Sequence, residues 1–96
     1  MKHYLAVLAP LPDGSWRAHF PDFPGCRADG HSLEAATFAS ANSVINMACD
    51  LQRHGRALPV PQSFEDVRHH SNGWASERGI DWSTAVVSII PLSVPE

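Results

Sequence analysis

Apolar residues in the first third of the chain fall in short runs that end in proline or glycine. Residues 3–9 (HYLAVLA) form one such run, stopped by Pro10, and predict a buried strand. Residues 10–14 (PLPDG) are turn chemistry. Residues 15–20 (SWRAHF) then alternate, with Trp16, Ala18 and Phe20 on one side and Arg17 and His19 on the other. The two runs predict a hairpin whose second strand is half buried. In residues 20–26 (FPDFPGC), Pro21 and Pro24 lack an amide hydrogen and hold the preceding residue extended, so the strand must stop, turn and restart. Residues 26–29 (CRAD) suit one short edge strand, and Gly30 allows a sharp turn after it.

A helical period follows. Ser32 is a good N-cap and Glu34 lies in the first turn, where the helix dipole favours an acid. Leu33, Ala36, Thr37, Ala41, Val44, Ala48 and Leu51 recur on one face, and Gly55 supplies a left-handed stop, so a helix is expected over residues 32–54. Its alanine-rich first half allows close approach to a sheet. Residues 58–62 (LPVPQ) must be extended. Ser63 caps a second short helix over residues 64–71, broken by Asn72 and Gly73, and residues 74–81 predict another turn or two. Residues 84–90 (TAVVSII), β-branched and apolar, read as a central strand. A right-handed crossover would set this strand parallel to the first and beside it, giving a mixed sheet. The helix covers one face. The segment 58–82, or a second copy of the chain, must cover the other.

Composition narrows the function classes. The chain has 96 residues, enough for one domain over residues 1–96, and 44% hydrophobic with 18% charged residues is ordinary for a globular protein. A net charge of −3, with the basic residues scattered, lacks the basic stripe of a nucleic-acid binder and better suits a basic protein partner. Cys26 and Cys49 do not make a disulfide framework. No signal peptide and no membrane-length apolar stretch is visible, so a cytoplasmic protein with reduced thiols is expected, without nucleic-acid or membrane binding.

Four chemistries bear on the residues present. His69 and His70 are adjacent, but adjacent residues on a helix point about 100° apart, unlike ligands at i, i+4 spacing. A two-metal nuclease needs converging carboxylates, whereas Asp13, Asp22, Asp29 and Glu34 belong to a turn, a proline loop, a strand end and a helix start. Cys26 would need a positive environment to react, and Arg27 points to the opposite face of a strand. No glycine-rich loop joins a strand to a helix, so Gly25 and Gly30 read as turn glycines. No catalytic residue, metal or cofactor is expected.

The rigid corner is different. Phe20 and Phe23 bracket its prolines, and Asp22 is expected at its exposed apex. Tyr4, Asp13-Gly14, the string Phe20-Pro21-Asp22-Phe23-Pro24-Gly25-Cys26, then Gly30, Ser32, Glu34 and Ala36, with Gly55 and Leu58-Pro59-Val60-Pro61 after the helix, resemble the HicB family of antitoxins. The likeness runs to the final strand. It implies an α+β, partial ribonuclease H-like β-β-β-α-β fold with a short extra helix before the last strand. It also implies self-association, and non-catalytic neutralisation of a small basic HicA-type ribonuclease by covering its catalytic histidine. Family members commonly carry a DNA-binding segment after this domain. The sequence stops at Glu96, so neither a C-terminal DNA-binding domain nor operator binding is expected of this chain. The toxin-facing residues expected are Asp22, Phe23, Asp29 and Glu34, with Phe20, Pro21, Pro24, Gly25, Cys26 and Gly30 shaping the corner. The alternatives are a homo-oligomeric module without a toxin, joined through Val86, Ser88 and Ile90 or the sheet edge, and a degenerate metal-dependent nuclease using Asp13, Asp22 and His19.

Overall fold

Four strands and one long helix carry the architecture in the computed structural model, which describes residues 2–23, 25–70 and 74–92. Strands β1 (Lys2–Pro10) and β2 (Trp16–His19) form the expected hairpin, and β3 (Arg27–Gly30) follows the corner. Helix α1 spans Leu33–Arg53, short helices α2 (Phe64–His70) and α3 (Trp74–Glu77) follow, and β4 (Val86–Leu92) ends the described chain. The hairpin loop is closed by the Ser15 N–H and hydroxyl donating to Asp13 Oδ1, with Gly14 at φ +90°. Pro24, Ser71, Asn72 and Gly73 lie outside the described residues, and with them the expected break after α2.

The sheet order is β3-β2-β1-β4, and every pairing is antiparallel. Two expectations are corrected here. The last strand is not parallel to the first: Lys2 pairs with Leu92 and Leu8 with Val86, so the sheet is not mixed. Nor is β4 central, since it forms the outer edge. The α+β β-β-β-α-β order itself stands. The reversal has a geometric cause. Helix α1 begins beside the Pro10 end of β1, where β3 finishes, and runs back to the Lys2 end. A direct entry into β4 from there would be parallel. Instead Trp74, Ala75, Ile80 and Trp82 lie on the sheet's second face, and the chain enters β4 at the Pro10 end.

The two faces are therefore covered differently. Tyr4, Ala6 and Leu8 of β1, Ala18 of β2, Ala28 of β3 and Ile90 and Leu92 of β4 pack with Phe20 and Phe23 against Ala36, Val44 and Ala48 of α1. On the other face Val7 and Ala9 meet Ile80, with Trp74, Ala75, Trp82, Ala85 and Val87 around them. From the segment 58–82, Trp74, Ala75, Ile80 and Trp82 thus supply the cover for that part of the second face.

Small residues set the helix distance. A Cβ built on Gly30 would run into the backbone of Ala35 and Ala36, so α1 starts in contact with the end of β3. Ser32 caps α1, its hydroxyl accepting from the Ala35 N–H at 3.1 Å. Gly30→Ala is expected to cost about 2 kcal/mol or more in urea unfolding, because backbone must move to admit the methyl. Ser32→Ala should cost about 1 kcal/mol. A neutral Gly30→Ala would contradict this packing.

Candidate functional site

The corner between β2 and β3 is rigid, but it is not the exposed apex the sequence suggested. Phe20 and Phe23 are buried, and the Phe23 ring lies 4.9 Å from the Tyr4 ring, centroid to centroid. Asp22 is only 8% exposed. The reason is the connector after α1, which folds over the corner. The Gln62 N–H and side-chain amide donate to Asp22 Oδ1 at 3.2 and 3.1 Å, and the Gln62 amide also reaches the Pro21 carbonyl at 3.4 Å. Nearby, the Tyr4 hydroxyl donates to the Pro59 carbonyl at 2.8 Å. Asp22 Oδ2 is buried and accepts no hydrogen bond from the described residues. Burial therefore pushes the Asp22 carboxyl up, against the two Gln62 bonds. Burial, and then the nearby negative Asp22, push the Tyr4 phenol up as well, which keeps it a donor.

Gly25 takes a left-handed φ of +87°, as the corner's return into β3 requires. Cys26 packs partly buried against the core, and burial raises its thiol, the opposite of what a nucleophile needs. Asp13 and Asp22 sit at opposite ends of β2, each held by its own hydrogen bonds, and His19 joins neither. Among the described residues no group of three or more His, Cys, Asp or Glu is placed to hold a metal ion.

Asp29 and Glu34 stay on the surface, on either side of the Gly30 turn. The Asp29 side chain is 57% exposed and forms a cross-strand pair with Arg17, Nε to Oδ1 at 2.8 Å. That bond holds its carboxyl below the usual carboxylate range. Glu34 is exposed in the first turn of α1.

Three features escaped the sequence reading. A groove on the second face is lined by Arg17, His19, Arg27, Glu77 and Arg78 beside Gly25 and Cys26. There His19 packs edge-on to Trp74, and burial, then Arg78, Arg17 and Arg27, lower its imidazole pKa. Strand alternation placed Arg17 and His19 together, but nothing local pointed to Arg78. Gln62 lies 40 residues from its partner and carries no local signal. On the outer face of α1, Phe38 is 74% exposed and Ile45 is also exposed; both fall off the helical stripe that packs on the sheet.

A raised Asp22 carboxyl favours the folded state when protonated. Its contribution is full below the unfolded value of about 3.9 and is lost as pH rises through the higher folded value. The stability of the unaltered protein relative to Asp22→Asn should therefore rise, by up to about 1 kcal/mol, as pH falls from 7 to 4 in urea titrations. The opposite slope would mean a well-paired carboxylate.

No family model matches the chain, and no curated protein matches it. Solved structures do. The crystal structure of the N-terminal domain of the Burkholderia pseudomallei antitoxin HicB superposes with a TM-score of 0.75 at 12% identity, over 96% of this chain and 99% of that one. The longer HicB from the same organism gives 0.76 at 13% identity over 98% of this chain, which spans 65% of that chain's length. A chain of the HicA3–HicB3 toxin–antitoxin complex gives 0.65 at 17% identity, over 96% of this chain and 99% of that one. The protein therefore has the fold of the HicB antitoxin N-terminal domain.

Proposed function

We propose that this chain is an antitoxin-like binding domain that sequesters a small basic HicA-type ribonuclease and covers its active site without catalysing a reaction. The observation that carries this reading is the superposition on HicB N-terminal domains over nearly the whole of both chains, one of the matches coming from a toxin–antitoxin complex. The site chemistry agrees with it. Burial raises the Cys26 thiol, and Gln62 engages the buried Asp22 carboxylate.

The four residues expected to face the toxin divide by burial. Asp22 and Phe23 act from beneath, holding the corner in shape. Asp29 and Glu34 offer carboxylates to a basic partner. One helical turn beyond Glu34, on the same side of α1, Phe38 presents an exposed ring. An aromatic anchor beside acidic groups fits a contact in which the ring supplies affinity and the charges speed encounter.

The test is co-expression with a HicA-type ribonuclease, taken from the gene adjacent to this chain's own where that gene encodes one. The toxin should co-purify, and its RNA cleavage should stop when this chain is added in equimolar amount. Phe38→Ala should weaken binding at least tenfold without lowering the melting temperature, since the ring is mostly exposed. Glu34→Lys should slow association, and the defect should shrink at high salt. Cleavage that continues under saturating amounts of this chain would overturn the reading.

A further inference from the structure

The basic residues are scattered along the sequence, but the fold gathers three of the seven lysines and arginines at one groove. Strand pairing sets Arg17 opposite Asp29 and His19 opposite Arg27. Ala18 and Ala28, between them, pack on the helix side, so these four side chains share the sheet's second face. Arg78, the residue after α3, completes the groove together with Glu77. Its volume is about 580 Å³, within the range of about 300–1,000 Å³ usual for small-molecule sites.

The groove is positive, and its charges are held in place. The Arg17 guanidinium is fixed by Asp29. The Arg78 guanidinium lies 5.1 Å from the centre of the Trp74 ring, a contact that orients the side chain without neutralising it. Arg27 is exposed and forms no ion pair among the described residues. Beside them His19 is only 7% exposed and stands edge-on to Trp74, and its ring nitrogens make no hydrogen bond to any described residue. Burial, then Arg78, Arg17 and Arg27, lower the pKa of that ring, so all three arginines reach it. Asp29 and the exposed Glu77 oppose only two of the three positive charges. In a chain of net charge −3 this gathering of like charge is unfavourable by itself, and a cleft focuses its field.

We propose that the groove binds a phosphate group, free or as the monoester of a small molecule, with Arg27 and Arg78 on its oxygens, Arg17 at the rim and the His19 ring as a further donor. The donors come from three places, β2, β3 and the end of α3. A phosphate offers terminal oxygens in three directions and can accept from each, whereas a carboxylate offers two in one plane. Guanidinium forks also match phosphate in pairs of hydrogen bonds. The anion relieves the repulsion among the arginines and supplies the partner that His19 lacks. Side chains far apart in sequence hold it, so no glycine-rich loop announces the site. The groove lies on the sheet face away from α1, and the proposal stands apart from toxin binding.

The test uses the full chain alone, followed by NMR of the His19 ring. Inorganic phosphate and AMP should each shift its resonances and raise its pKa, because a nearby anion favours the imidazolium. Adenosine should do neither. Tighter binding of AMP than of inorganic phosphate assigns the site to an organic monoester, and equal binding assigns it to the free ion. Arg27→Gln should weaken binding of both about tenfold at an unchanged melting temperature, since the side chain is exposed and without an ion pair among the described residues. Glu77→Gln, which removes an exposed negative charge from the groove, should tighten binding about twofold. Arg53→Gln, in the last turn of α1, should leave it unchanged. Three results would overturn the proposal: His19 resonances unmoved by either phosphate, binding indifferent to Arg27→Gln, or a hexaglutamate peptide that binds more tightly than both phosphates, which would assign the groove to an acidic protein segment.

Discussion

The structure depends on how the chain after α1 is tied to the corner after β2. The Tyr4 hydroxyl holds the Pro59 carbonyl, and the Gln62 backbone and side-chain amides hold Asp22. These bonds join residues 40 to 55 positions apart. They turn the connector from the helix face of the sheet to its other face. From there α3, Ile80 and Trp82 cover Val7 and Ala9, and the chain enters β4 from the Pro10 end. The antiparallel β4, the cover on the second face and an outer edge that no other described strand pairs with all follow from that turn. The cost is a buried carboxylate with one oxygen unpartnered among the described residues.

Much of this fold was legible because local chemistry decided it. Asp13-Gly14 fixed the hairpin, Ser32 and Gly55 bracketed α1, and the spacing of Ala36, Val44 and Ala48 identified its packed face. What failed was non-local. The handedness rule governs a helix that returns directly to the next strand, but here thirty-odd residues lie between α1 and β4 and reverse the direction of entry. The β-branched run 84–90 predicts a central strand because such residues suit a pleated, half-buried surface, and that surface exists at an edge as well. Prolines tend to expose a corner, which predicts Asp22 outside, and nothing near it in sequence announces that Gln62 closes over it. The surface positions of Asp29 and Glu34 were legible, since a strand end and a capped first turn both face solvent.

The domain presents surfaces of different character. The outer face of α1 offers Phe38 and Ile45 with Glu34 at its start. The second face of the sheet carries Arg17, His19, Arg27 and Arg78, and suits a basic partner poorly. The β4 edge offers hydrogen bonds and apolar side chains without charge.

The tie itself is open to direct measurement by hydrogen exchange on Tyr4→Phe combined with Gln62→Ala. The amides of Ser88 and Ile90, which bond inward to β1, should lose protection beyond the change in global stability. Those of β2 and the middle of α1 should follow global stability alone. Loss of protection spread evenly over all strands, or β4 amides unaffected by the pair of substitutions, would contradict the claim that this connection sets the course of the second half of the chain.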